Sequence, residues 1–423
     1  MKKIILLTVL LISIFFTQAQ ILKQITDRAK NRAASNVNNK VNSTVDKTVD
    51  DAMDPNKIKN KIPVDTAKKK EASTGAVKSE TGTVSFKTYS KYDFVPGEKI
   101  IGFEDFSTGN IGDFPAGWNT NAAAEIVTVE GKTDRWLWLT KPGIFIPEFA
   151  QEYPEDFTFE FDLMHGVPIN GPYFTVCFAQ LDNPSQPSVW PYVTNQFNFE
   201  LDNANTGSDN GLSRYSMRKN SVSENGNGND LYILNDKNNP VHVAVWRQKE
   251  RIRIYVNQEK IWDIPKATVK EAKFNAIIFS VTYAEEVVKQ YIGNLRLAVG
   301  APDTRKKFLE QSKWVTHGIL FDVNSDKIKP ESYGTLKEMA TVLKENPDLK
   351  VKIIGHTDAD GKDADNLDLS KKRAAAVKVA LGKEFGIDES RMQTDGKGES
   401  EPIDKNDTPA GKANNRRVEF IKI

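Results

Sequence analysis

The spacing of hydrophobic positions changes several times along the chain, and each change marks a segment. Residues 1–20 open with Lys2-Lys3, run apolar from Ile4 to Phe16 and end in Thr17-Gln18-Ala19, the pattern of a secretory signal peptide. That run is shorter than the ~20 residues a membrane span needs. From Ile21 to Met53 an apolar residue recurs at every fourth position, starting Ile21, Ile25, Ala29, Ala33. On a 3.6-residue helix such a stripe drifts about 40° per step, too fast for a coiled-coil seam. It predicts a helical stalk, either solvated or docked on a partner or membrane surface, closed at Asp54-Pro55. From Lys57 to about Lys91 the chain is rich in Lys, Thr, Ser, Gly and Ala and predicts a flexible linker. Stalk and linker together are residues 21–91.

Near Phe94 the pattern turns to alternating aromatics. Phe157, Phe159 and Phe161 alternate with Thr158, Glu160 and Asp162. Val241–Trp246 leads through Gln248-Lys249-Glu250 into Arg251–Asn257, and Phe274–Tyr283 and Tyr291–Ala298 supply two more strands. No long helical period interrupts residues 92–300, which predicts an antiparallel β-sandwich. Residues 301–313 read as a charged connector.

Residues 314–423 change period again. Val315–Asp322 reads as a strand, and Pro330 opens a helix with Tyr333, Leu336, Ala340 and Leu343 inward, stopped by Asn346-Pro347. Leu349, Val351 and Ile353 alternate with Lys350 and Lys352 as a second strand, which runs out at Asp358 into a polar loop. A second helix takes Asn366 as N-cap and Gly386 as C′ stop. The order strand–helix–strand–helix–strand–strand predicts a small α/β layer with its loops at one end of the sheet. The expected chain is multidomain: β-sandwich, then α/β domain.

On the second helix Asn366, Leu369, Arg373 and Val377 share one side. Arg373 interrupts an apolar face, where an unpaired guanidinium is costly, so it needs an anion. Asp358 stands where one would be found. Two readings stay open: an internal Asp358–Arg373 ion pair, or a receptor in which Asp358 takes an ammonium and Arg373 clamps a carboxylate.

Composition narrows the rest. At 423 residues the chain fits two or three domains, and 58 Lys and Arg against 57 Asp and Glu give no reason to expect nucleic acid as partner. Cys177 is the only cysteine and lies in the apolar run Tyr173–Phe178, which predicts a buried, inert thiol. With four scattered histidines, neither a metal nor any other cofactor is expected. The segment Asp202–Asp230, rich in Asn, Asp, Gly and Ser, reads as a polar loop or as a calcium- or glycan-binding rim. Asp358-x-Asp360-Gly361 lacks the EF-hand ligands, having Lys362 and Leu369 where they are needed.

His356-Thr357-Asp358, then Asn366-x-x-Leu369-Ser370-x-x-Arg373-Ala374, then Asn415-Arg416-Arg417-Val418-Glu419 resemble the OmpA-like C-terminal domain, over about Trp314 to Ile423. That resemblance implies binding to the peptidoglycan stem peptide through the free amino and carboxylate end of diaminopimelate. It implies a pocket of Asn324, Thr357, Asp358, Asn366, Arg373 and one of the alternating pair Arg416 and Arg417, favouring Arg417. By residue type alone, Asn324 reads as a turn residue.

Within the sandwich, Arg251-x-Arg253-x-Tyr255-Val256-Asn257, Ile261–Pro265 and Gly293–Leu297 resemble a laminin-G or concanavalin-like jelly roll. Laminarinase-like hydrolases on that architecture place Glu-x-Asp-x-(x)-Glu on one strand. Here Glu160 and Asp162 are followed by Met164 and His165, so no enzyme is expected. The implied protein is an exported tether at the outer membrane or in the periplasm of a Gram-negative, Bacteroidetes-like bacterium. Its sandwich would face a glycan or an outer-membrane protein. The competing class is a surface carbohydrate-binding or adhesion protein that the C-terminal domain merely anchors. The eight-stranded barrel of the family's namesake has no counterpart in the pattern, so attachment through a partner or the stalk is expected.

Overall fold

Alternation of aromatic and polar residues builds two antiparallel sheets, each of eight strands among the described residues. The computed structural model describes residues 92–149, 152–166, 174–185, 193–202, 210–226, 230–233, 239–282, 289–300 and 304–423. The signal peptide, stalk and linker expected before Tyr92 lie outside them. One sheet runs Glu259–Ile264, Arg251–Val256, Val241–Gln248, Asp156–His165, Gln290–Val299, Arg135–Leu139, Ala124–Thr128, with Lys99–Glu104 also on Gln290–Val299. The other runs Val222–Asn225, Asn210–Lys219, Gln196–Asp202, Phe174–Ala179, Ala276–Val281, Gly143–Pro147, Trp118–Thr120, with Asp230–Ile233 on Asn210–Lys219. Their facing sides meet in one core, where Phe159 and Phe161 of the first sheet contact Phe178 and Phe279 of the second with ring centroids 5.3–6.1 Å apart. Cys177 is buried, and burial pushes its thiol pKa up, away from the reactive range.

The Asp202–Asp230 segment is not a plain loop. Asn210–Lys219 and Val222–Asn225 form a hairpin there. Its inward residues are small or amphipathic: Gly211, Ser213, Tyr215 and Met217, with Ser213 receiving the Trp262 indole N–H at 2.8 Å. A strand whose core face is carried by such residues gives little hydrophobic signal. No cluster of metal-ligating side chains occurs there or elsewhere among the described residues.

The C-terminal domain has a four-stranded sheet in the order Lys313–Thr316, Val418–Lys422, Val351–His356, Met392–Gly398, of which the last two are parallel. Helices Tyr333–Glu345 and Asp363–Phe385 pack on it through Leu336, Met339, Leu343, Val377 and Leu381. Gly386 ends the long helix at φ 69°, in the left-handed conformation expected of that stop. Gly355 lets the same helix lie against its strand, since a Cβ there would sit 2.2 Å from the Ser370 carbonyl oxygen. No helix among the described residues is long and apolar enough to cross a membrane.

Three expectations fail locally. The first C-terminal strand spans Lys313–Thr316, not Val315–Asp322, because the chain is drawn off the sheet at His317, whose carbonyl takes the Arg296 guanidinium at 2.7 Å. The residue 301–313 connector contains a helix, Thr304–Gln311, held by Phe308 in the C-terminal core. The long helix starts at Asp363, with Asn366 inside its first turn rather than capping it. A short helix, Pro409–Asn415, also precedes the last strand.

The described residues from Tyr92 to Ile423 belong to one compact unit, so the sandwich and the C-terminal domain are packed together. Tyr92, Phe94, Trp246 and Tyr255 on the outer face of the first sheet meet Tyr333. The Asn414 side-chain amide both accepts from Ile100 N–H and donates to Ile100 C=O, each at 2.9 Å, completing the exposed edge of Lys99–Glu104. Gly334 sits under the Phe94–Tyr333 contact, where an added Cβ would lie 2.0 Å from the Phe94 carbonyl oxygen. Gly334→Ala should therefore destabilise the protein by about 1–3 kcal/mol through overpacking against backbone. An unshifted thermal melt would show that Tyr92–Gly97 does not dock there.

Candidate functional site

Strand Val351–His356 delivers Thr357 and Asp358 to the end of the C-terminal sheet. Thr357 N–H donates to the Gly398 carbonyl at 2.9 Å, and His356 N–H to the Arg417 carbonyl at 3.0 Å, tying the strand end to both neighbours. Thr357 is buried and its hydroxyl has no hydrogen-bond partner. Asn366, from the first turn of the long helix, donates to the carbonyls of Asp358 (3.3 Å) and Asp360 (3.0 Å) and to Glu399 Oε2 (2.6 Å). Its role in the structure is to hold the loop that carries Asp358.

The charges are arranged differently from the pairing read off the helix face. Asp358 Oδ2 accepts from Arg416 at 2.5 Å, and its Oδ1 accepts from Asp360 N–H at 3.2 Å. Arg373 is not its salt-bridge partner. It lies 5.0 Å over the Phe321 ring and donates through Nε to the Ser325 carbonyl at 3.0 Å. Burial first, then the positive charge of Arg416, lower the Arg373 pKa, with Asp358 and Asp326 opposing. An arginine with no carboxylate at contact distance and a depressed pKa is a cation awaiting an anion. It borders a cavity of about 130 Å³ together with Phe321, His356, Arg416 and Arg417.

Of the two adjacent arginines, Arg417 is the structural one. It is buried, donates to Glu419 Oε1 at 2.9 Å, and spans to the carbonyls of Asn415 (3.3 Å) and Glu401 (2.9 Å). Burial opposes ionisation of Glu419, but His356, Lys313 and Arg417 together hold its carboxyl well below the usual range. Arg416 is the one that reaches Asp358, while both arginines line the cavity. Asn324 is exposed at φ 51° in the turn between Phe321 and Ile328, beside the Ser325 carbonyl that receives Arg373. Its place is a turn residue's. Arg417→Ala should cost about 2–3 kcal/mol, leaving Glu419 short of a buried partner, whereas Arg416→Ala should cost less than ~1 kcal/mol. Urea denaturation of both variants checks this, and the reverse order would contradict it.

The sandwich also enters the site, which the local pattern does not reveal. Phe103, on Lys99–Glu104, lies 5.1 Å beneath the Arg416 guanidinium, and Phe103, Ile100 and Arg296 line the same cavity. Arg296 donates to Glu160 at 2.9 and 2.6 Å. Glu160 and Asp162, the pair that suggested hydrolysis, thus point to the C-terminal domain and are occupied by Arg296, His242 and Asn294.

Residues 320–416 match the OmpA family. Over 101 residues the chain is 42% identical to outer membrane porin F of Pseudomonas aeruginosa, covering 24% of this chain and 29% of that one. Over 104 residues it is 45% identical to the probable lipoprotein YiaD of Escherichia coli, covering 25% of this chain and 47% of that one. The chain therefore spans less than half the length of these two relatives. Among solved structures, the peptidoglycan-associated lipoprotein of Burkholderia pseudomallei is 30% identical, with 25% of this chain and 88% of that one covered and a TM-score of 0.24.

Proposed function

Starting from a C-terminal domain of the OmpA family, we propose that this chain is a cell-envelope tether that holds peptidoglycan non-covalently by the diaminopimelate end of its stem peptide. Its relatives are outer-membrane proteins and envelope lipoproteins, and the chain is an exported protein of the outer membrane or periplasm.

The observation that carries the reading is Arg373. It is a half-buried guanidinium on an aromatic ring, at a cavity, without a carboxylate partner. A ligand carboxylate meets that need with a bidentate pair, and a ligand ammonium finds Asp358, whose carboxylate has lone pairs left beyond Arg416 and the Asp360 N–H. The reaction implied is binding, not bond breaking. Each carboxylate of the sandwich that suggested catalysis is held by a cation or an amide at the domain contact.

The sandwich is read as a concanavalin- or laminin-G-like jelly roll that presents a glycan- or protein-binding surface on the far side of the tether. Sedimentation of the full chain with purified sacculi tests the central assignment. The wild type should pellet with the wall and Arg373→Ala should stay in the supernatant. Equal pelleting of both would refute the assignment.

A further inference from the structure

Beside the Arg373 cavity lies a second one of about 190 Å³, in the cleft between the sandwich and the C-terminal domain. Phe103, Arg296, Leu320, Phe321 and Arg416 border both, so the two spaces adjoin along a shared wall. Most charge in the cleft is already matched. Arg296 pairs with Glu160; His242 meets Asp162 at 2.7 Å and Glu160 at 3.4 Å; Asn294 donates to the other Asp162 oxygen at 2.7 Å.

Two lining groups are left over. Lys329 makes no ion pair among the described residues and acts on Asp162 only at longer range. Glu331 accepts a long bond of 3.4 Å from Gln258 on Oε1, while its buried Oε2 has no hydrogen-bond partner and feels the His242 cation only through space. A free cation and an orphaned acceptor on one cleft suit a ligand that offers a carboxylate beside an N–H. That is the chemistry of a peptide: a carboxylate for Lys329 and an amide N–H for Glu331. A neutral sugar supplies no anion.

We propose that this cleft is a second subsite, which takes a carboxylate-bearing peptide segment attached to the zwitterion held in the first cavity. The proposal rests on the reading of the first cavity as a diaminopimelate receptor and adds to it. The preferred ligand is a stem peptide rather than the isolated amino acid, and the sandwich supplies one wall of its site through Phe103, Asp162, His242 and Asn294.

Calorimetry on the full chain tests it with three probes: free meso-diaminopimelate, the tripeptide L-alanyl-γ-D-glutamyl-meso-diaminopimelate, and the same tripeptide on its disaccharide. The wild type should bind the tripeptide about tenfold more tightly than the free amino acid, in line with one added charge-assisted contact. Lys329→Met and Glu331→Gln should each lose most of that tenfold preference while binding free diaminopimelate within about twofold of wild type. Glu331→Gln keeps the side-chain volume, so it reads the subsite even where the lysine variant folds poorly. An unchanged tripeptide-to-diaminopimelate ratio in both variants overturns the subsite and leaves the first cavity's assignment standing. A Lys329-dependent gain seen only with the disaccharide probe overturns the peptide in favour of the glycan. Failure of the wild type to bind any probe overturns the receptor reading itself, and the subsite with it.

Discussion

Arg373→Ala should abolish binding to a diaminopimelate-containing muropeptide, with a loss of roughly 2–4 kcal/mol for a desolvated, charge-assisted pair. The fold should not suffer, because the wild-type guanidinium has only Ser325 C=O and the Phe321 ring to hold it. Removing a half-buried cation with no counter-ion is neutral or mildly stabilising. Arg373→Lys should also bind weakly, since an ammonium cannot reproduce the planar fork. Asp358→Asn should separate the two readings of the acid. Its partner Arg416 is about a third exposed, at 35% of its side chain, and can turn to solvent. The melting point should then shift little while muropeptide affinity is lost. Unchanged calorimetric affinity in Arg373→Ala, or a large ligand-free melting loss with affinity retained in Asp358→Asn, would return these residues to a purely structural role.

The largest expected loss of stability follows from Arg296→Ala. This variant would leave Glu160, which is 2% exposed, with His242 at 3.4 Å as its remaining cation, and release the His317 carbonyl in the same step. Breaking a buried pair of this kind costs about 3–5 kcal/mol. Because Arg296 also carries the bond from the sandwich to the His317 carbonyl of the C-terminal domain, chemical denaturation should lose its single transition and resolve into two. A single transition at the wild-type midpoint would show that Arg296 does not couple the domains.

The same network predicts the pH dependence of stability. Burial disfavours the His242 cation, but its hydrogen bonds to Asp162 and Glu160 outweigh burial and raise the pKa from 6.5 to about 10. Its contribution is therefore complete below pH 6.5 and is lost as pH rises toward 10. His165 and His317 are the opposite case. Burial lowers both to about 4, so their contribution is complete above pH 6.5 and is lost as pH falls toward 4. Stability should peak near pH 6.5, and His242→Gln should flatten the alkaline limb alone in denaturation curves measured across that range.

Much of the architecture is local and was therefore readable from the chain. Alternation places Phe157, Phe159 and Phe161 on one side of a strand whatever surrounds it, and Gly386 stops a helix because its φ of 69° suits no other residue as well. The motifs around Asp358 and Arg373 fall just past a strand end and on the helix that follows it, since short-range pattern fixes the existence of both elements. The hairpin within Asp202–Asp230 was not legible, because Gly211 and Ser213 fill its core-facing positions without hydrophobic periodicity.

Which charges pair is a different kind of question. Asp358 meets Arg416 rather than Arg373, and Arg417 turns to Glu419, because backbone placement of the Pro409–Asn415 helix decides the reach of each guanidinium. Side-chain alternation on the last strand says only that the two arginines diverge. The contribution of Phe103 and Arg296 was out of reach of any pattern, since those residues meet the C-terminal domain across gaps of 313 and 21 residues of chain. Periodicity reports which face of an element is buried, and the sequence by itself determined the main sandwich strands and the two long C-terminal helices, but not the helix Pro409–Asn415 that sets Arg416. What covers that face depends on how two domains dock, and only the tertiary structure decided that the outer face of the sandwich closes one side of the pocket.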